Sequence, residues 1–143
     1  MRFMVIVKAN EKSEAGELPS ERVLTEMGKF NEELVKAGVM LAGEGLQSSA
    51  KGARVRFSGN KKPAVVDGPF AETKELVAGF WLWQCRSKDE AIEWAKRIPN
   101  PDGEESEVEI RQVFETDDFA PVDPTGQIRE QEHRLREQTA GRQ

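Results

Sequence analysis

The run Phe3-Met4-Val5-Ile6-Val7 is apolar at every position. Successive strand side chains point to opposite faces, so a strand built from this run needs apolar cover both above and below. Gly79 to Arg86 makes the same demand, with Phe80, Trp81, Leu82 and Trp83 at successive positions. Helices able to supply that cover are few. Val23, Met27, Phe30 and Leu34 recur at helical spacing after Ser20, a residue suited to cap a helix N-terminus, and the stripe ends near Gly38. A second helix is predicted over Lys88 to Ile98, opened by Ser87-Lys88-Asp89-Glu90 read as a capping box, and stopped by Pro99. Two helices cover one face of a sheet. A bare second face would exceed the few hundred Å² of apolar patch usual for a soluble monomer, so the pattern predicts a two-fold partner, a homodimer with sheets facing each other.

The remaining strands are read at Val39 to Gln47, Ala53 to Ser58, Ala64 to Val66 and Glu107 to Phe114, with a hairpin turn at Gly59-Asn60-Lys61-Lys62 and a polar loop over Ala9 to Leu18. The order β-α-β-β-(β)-β-α-β predicts an α+β fold: a ferredoxin-like, split βαβ sheet with an extra hairpin strand, forming a dimeric α+β barrel. Residues 1–114 read as this domain and 115–143 as an extension. Glu115 to Pro124 looks like an acidic, extended connector. Gln127 to Gln138 reads as a charged helix that lies across the body or the partner through Phe119, Ile128 and Leu135, with Thr139 to Gln143 frayed.

At 143 residues, with 37% hydrophobic and 33% charged residues, the chain fits a single core. Its net charge of -5, with Lys and Arg interleaved among Glu and Asp, argues against nucleic acid as a partner. One cysteine, Cys85, and one histidine, His133, can make neither an internal disulfide nor a structural zinc site. No phosphate-binding glycine loop occurs, since Gly43-Glu44-Gly45 lacks the following glycine and helix. No metal and no cofactor are expected. The first apolar run is too short for a signal sequence or a membrane span, so the expected location is cytoplasmic, without membrane contact.

Several segments then share one likeness: Ala42-Gly43-Glu44-Gly45-Leu46, Val66-Asp67-Gly68-Pro69-Phe70-Ala71-Glu72-Thr73-Lys74-Glu75, Gly79-Phe80, Asp89 to Ala95 with Pro99, and Glu107 to Arg111. In this order they resemble the DGPF branch of the YCII-related family over nearly the whole chain. The resemblance implies a dimeric ferredoxin-like fold, a biochemical activity that the family leaves undefined, and a regulatory link to extracytoplasmic-function sigma factors. YCII relatives place a His and an Asp near the subunit cleft for acid-base chemistry. Asp67 matches that Asp, whereas the His has no counterpart, His133 lying in the extension.

Two readings of the turn follow. In the functional one, Asp67 is a base or anchor, and Glu44, Glu72, Thr73, Lys74, Glu75 and Arg111 rim a cleft between sheet and helix floored by Phe70, Phe80 and Trp81. Lys74 and Arg111 would hold an anionic group of a small-molecule ligand. In the structural one, Asp67 accepts backbone N–H bonds in an Asx turn, Gly68 supplies unusual torsions and Pro69 stiffens them. The expected function is a small-molecule-binding or regulatory dimer. The alternatives are a cofactor-independent acid-base enzyme of lyase or isomerase type with Asp67 as general base, and an interaction scaffold associated with a sigma factor.

Overall fold

The computed structural model describes residues 1–141, the side chain of Lys74 excepted. The chain runs β1 (Arg2–Lys8), α1 (Glu11–Glu14), α2 (Glu21–Lys36), β2 (Met40–Gly45), β3 (Ala53–Arg56), β4 (Ala64–Asp67), β5 (Val77–Gln84), α3 (Lys88–Ala95), β6 (Val108–Gln112) and α4 (Gln127–Ala140). Short 3₁₀ turns span Ser49–Lys51, Thr73–Glu75 and Thr116–Val122. One antiparallel sheet has the order β2-β5-β1-β6. This is the split βαβ order, and it puts the two strands with apolar residues on both faces in the middle. β3 and β4 pair with each other, as a separate two-stranded sheet inserted between β2 and β5.

Residues directly opposite on antiparallel strands share a face. Phe3 faces Trp83 and Val5 faces Trp81, and all four are buried against Phe30 and Leu34 of α2 and Ala91 of α3. Phe30 meets both tryptophans edge-on, with ring centroids 6.0 and 6.3 Å away. The alternate residues Met4, Ile6, Phe80 and Leu82 lie on the opposite face, each half-buried.

Ser20 caps α2 by accepting from Val23 N at 3.1 Å. At its end Gly38 takes φ +71°, a left-handed turn that suits glycine, and Val39 N returns to Leu34 O at 2.9 Å. Ser87 caps α3 by accepting from Glu90 N, but the reciprocal half of the expected capping box is displaced. Glu90 reaches one residue further back, to Arg86 N at 2.9 Å, because the Arg86 guanidinium also draws its carboxylate. Regular α-helix stops at Ala95, with Lys96 to Ile98 in a turn.

Two segments differ from expectation. The loop after β1 contains the one-turn helix α1, closed by reciprocal bonds between Asn10 and Ser13. The connector is a 3₁₀ helix rather than extended chain, with Glu115 held by Arg2 through two bonds of 2.9 and 3.1 Å. α4 packs on that connector and buries none of its residues. Ile128 and Leu135 stay 61% and 49% exposed, so in the single chain they do not cover the body, while Phe119 packs on Phe114 at 5.0 Å. Thr139 and Ala140 continue the helix, and Arg142 and Gln143 lie outside the described residues.

Candidate functional site

After β2, Leu46 N still bonds Ala78 O at 2.8 Å, and the chain then turns through Ser48 to Gly52. α1 fixes that turn. Ser48 Oγ donates to Glu14 O at 2.6 Å, while the Glu14 carboxylate accepts from Ser49 N at 3.1 Å and from Ser49 Oγ. The Asp67-Gly68-Pro69-Phe70 segment docks on the same turn. Gly68 N donates to Gly52 O at 3.0 Å, and Phe70 N donates to Ser49 Oγ at 3.1 Å. The Gly68-Pro69 peptide is cis. Arg54, from β3, places its guanidinium 3.9 Å from the centre of the Phe70 ring.

These contacts frame a cavity of about 520 Å³, lined by Glu14, Ser48, Ser49, Lys51, Arg54 and Phe70 with an apolar side of Leu46, Leu76 and Val77. A second cavity of about 760 Å³ lies across the Thr73–Glu75 turn, and Glu11, Glu72, Glu75, Glu105 and Glu107 line it together with Lys8 and Thr73. Lys8 itself pairs with Glu109 at 3.4 Å. Among the described residues no group of three or more His, Cys, Asp or Glu is placed to hold a metal ion. No described helix is long and apolar enough to cross a membrane.

The candidate residues from the sequence separate into different places. Phe70 lines the first cavity, whereas Glu72, Thr73 and Glu75 line the second. Glu44 sits opposite Phe80, and Arg111 opposite Met4, so these three occupy the open face of the sheet. There Arg111 is exposed and pairs with Glu109 at 3.6 Å. The expected floor of Phe70, Phe80 and Trp81 does not form, because Phe80 and Trp81 are neighbours on one strand and point to opposite faces. Trp81 lies under α2 and donates its indole N–H to Asn31 Oδ1 at 2.9 Å. Asp67 is exposed at the end of β4 and lines neither cavity, and its side chain makes no hydrogen bond among the described residues, so the expected Asx turn is absent there. The side chain of Lys74 lies outside the described residues.

Glu14, Ser48, Ser49, Lys51 and Arg54 were not legible as site residues. One signal bears on the two cations among them. Charges are interleaved along most of the chain, but between Glu44 and Asp67 there is no acidic residue, and Lys51, Arg54, Arg56, Lys61 and Lys62 all fall in that interval.

The family model of the YCII-related domain matches residues 1–117. The chain belongs to the YCII-related family. An uncharacterised protein of Rhizobium meliloti (strain 1021) is 35% identical over 91 residues, covering 64% of this chain and 73% of that protein. Among solved structures, 5-chloro-2-hydroxyhydroquinone dehydrochlorinase from Burkholderia phenoliruptrix AC1100, in complex with 2,5-dihydroxybenzoquinone, aligns with a TM-score of 0.46 at 14% identity. That alignment covers 80% of this chain and 94% of the dehydrochlorinase. The family match ends within the Thr116–Val122 turn, and α4 lies beyond it.

Proposed function

We propose that this YCII-related protein is a small-molecule-binding dimer whose ligand site is the cavity beneath the Asp67-Gly68-Pro69-Phe70 turn. The observation that carries this reading is the Glu14–Ser49–Phe70 network, which ties three separate segments into the wall of one cavity. Its volume of about 520 Å³ falls in the range of ordinary ligand sites, which combine apolar walls with a few fixed polar groups. The dimer is supported by the open sheet face of Met4, Ile6, Phe80 and Leu82. Acid-base catalysis by Asp67 has less behind it, since that carboxylate lies outside both cavities and the imidazole of His133 is exposed on α4.

The test is a thermal-shift screen of a metabolite library against the wild type, Asp67→Asn and Phe70→Ala, each first shown to be folded by circular dichroism. A cavity ligand raises the melting temperature of the wild type and of Asp67→Asn, and raises that of Phe70→Ala much less. A ligand whose effect disappears in Asp67→Asn but survives in Phe70→Ala moves the site to Asp67 and favours the enzyme alternative. Absence of any stabilising compound removes the small-molecule reading.

A further inference from the structure

We infer that the cavity takes a monoanionic carboxylate attached to a small apolar body, an inference that rests on the ligand site just proposed. Two cations, Lys51 and Arg54, line the cavity, and among the described residues neither has an acidic partner within ion-pair distance. The Arg54 guanidinium carbon lies 3.9 Å from the centre of the Phe70 ring, a cation–π contact that positions the group, and among the described residues its N–H edge makes no hydrogen bond and is left to donate. A planar carboxylate accepts from that edge through two parallel bonds.

The serine hydroxyls of the lining are already committed, whereas the Gln47 amide, which also lines the cavity, makes no side-chain hydrogen bond among the described residues. Ser48 Oγ donates to Glu14 O, and Ser49 Oγ donates to the Glu14 carboxylate while accepting from Phe70 N. Recognition of a ligand's charge therefore falls to Lys51 and Arg54, with the Gln47 amide as a neutral donor beside them and the serines shaping the wall.

Charge selects among anions. Lys51 and Arg54 against the Glu14 carboxylate leave the lining one positive charge in excess, which a monoanion neutralises. A dianionic phosphate ester would place surplus negative charge beside Glu14, and a cationic ligand would face both basic side chains. A neutral ligand of the same shape would cover the guanidinium without pairing it, which costs free energy. Leu46, Leu76, Val77 and Phe70 then take the apolar body.

Benzoate, benzamide and phenyl phosphate, alike in ring and different in charge, distinguish these cases. Each is titrated to about 10 mM into the full-length protein, with backbone amide NMR and thermal shift as readouts; weak fragment binding is expected near the millimolar range. Benzoate is expected to move the Ser49, Gly52 and Phe70 amides saturably, and benzamide and phenyl phosphate to bind at least about tenfold more weakly, the scale of one charge-assisted hydrogen-bonded contact. Arg54→Met should lower benzoate affinity by about tenfold or more and leave benzamide nearly unchanged. If Arg54→Met loses its fold, Lys51→Met is read in its place. Benzamide binding as tightly as benzoate, phenyl phosphate binding more tightly, or benzoate shifts that map away from the cavity would each overturn the carboxylate assignment. If the three probes fail while an uncharged or cationic library compound moves the same amides, the carboxylate class fails and the site stands. If probes and library both leave those amides unmoved, the proposed site fails as well.

Discussion

A Cβ built on Gly68 would stand 1.7 Å from Ser49 O and 2.7 Å from its carbonyl carbon. Both atoms belong to backbone, so no side-chain rotation relieves the clash, and an alanine must push the turn off the Ser48–Gly52 segment. Gly68→Ala is expected to cost roughly 2–4 kcal/mol of folding stability, a value typical of a backbone collision inside a packed contact. Asp67→Ala, one residue earlier and exposed, should stay within about 0.5 kcal/mol. Urea denaturation of both variants checks this; a comparable loss in Asp67→Ala would restore a structural role to that carboxylate. The sequence drew attention to the Asp67 to Phe70 tetrapeptide but not to its partners. Ser49 and Glu14 are 35 residues apart in sequence and look like ordinary turn and loop residues. Arg54 reads as the polar side of an alternating strand until the hairpin sets it over Phe70.

Among the elements, α2 and α3 were legible because a capping serine and an apolar stripe of helical period coincide in each. The same logic could not find α1, four residues with no apolar face, or the 3₁₀ connector, whose acids and Pro121 read as extended chain. The start of α4 has a local cause that the sequence did not display. Asp123 is 3% exposed, and its carboxylate accepts Ile128 N at 3.2 Å, Arg129 N at 3.0 Å and Arg129 Nε at 3.1 Å. Burial alone would raise the Asp123 pKa, but the bonds from Arg129 and Ile128 outweigh it and hold the carboxyl below its ordinary value of 3.8. A lowered folded-state pKa means that this contribution is complete above 3.8 and is lost as pH falls through the folded-state value. The α4 contribution to far-UV circular dichroism should therefore fade on acidification below pH 3.8, and Asp123→Ala should show the faded spectrum already at neutral pH. An unchanged neutral-pH spectrum for Asp123→Ala would mean that α4 does not depend on this anchor.

For the whole molecule, the proposed dimer rests on the open sheet face. The apolar character of both faces of β1 and β5 was readable from their composition. Within one chain α2 and α3 cover the Phe3 and Trp81 face alone. Met4, Ile6, Ala42, Phe80 and Leu82 are left half-buried on the other, with Glu44, Glu109 and Arg111 sharing that face. An apolar centre with a polar rim is the usual make-up of a protein interface, and a stable one buries on the order of 800 Å² per partner. Leu82 lies near the centre on β5, and because it is half-buried in the single chain, a glutamate there can reach water in a monomer. Between two facing sheets the same carboxylate would be buried without a partner, at a cost of several kcal/mol. Light scattering coupled to size exclusion should therefore give twice the chain mass for the wild type and a folded monomer for Leu82→Glu. A monomeric wild type would refute the dimer, and a Leu82→Glu variant that stays dimeric would move the interface away from this face, to the exposed apolar residues of the hairpin or of α4.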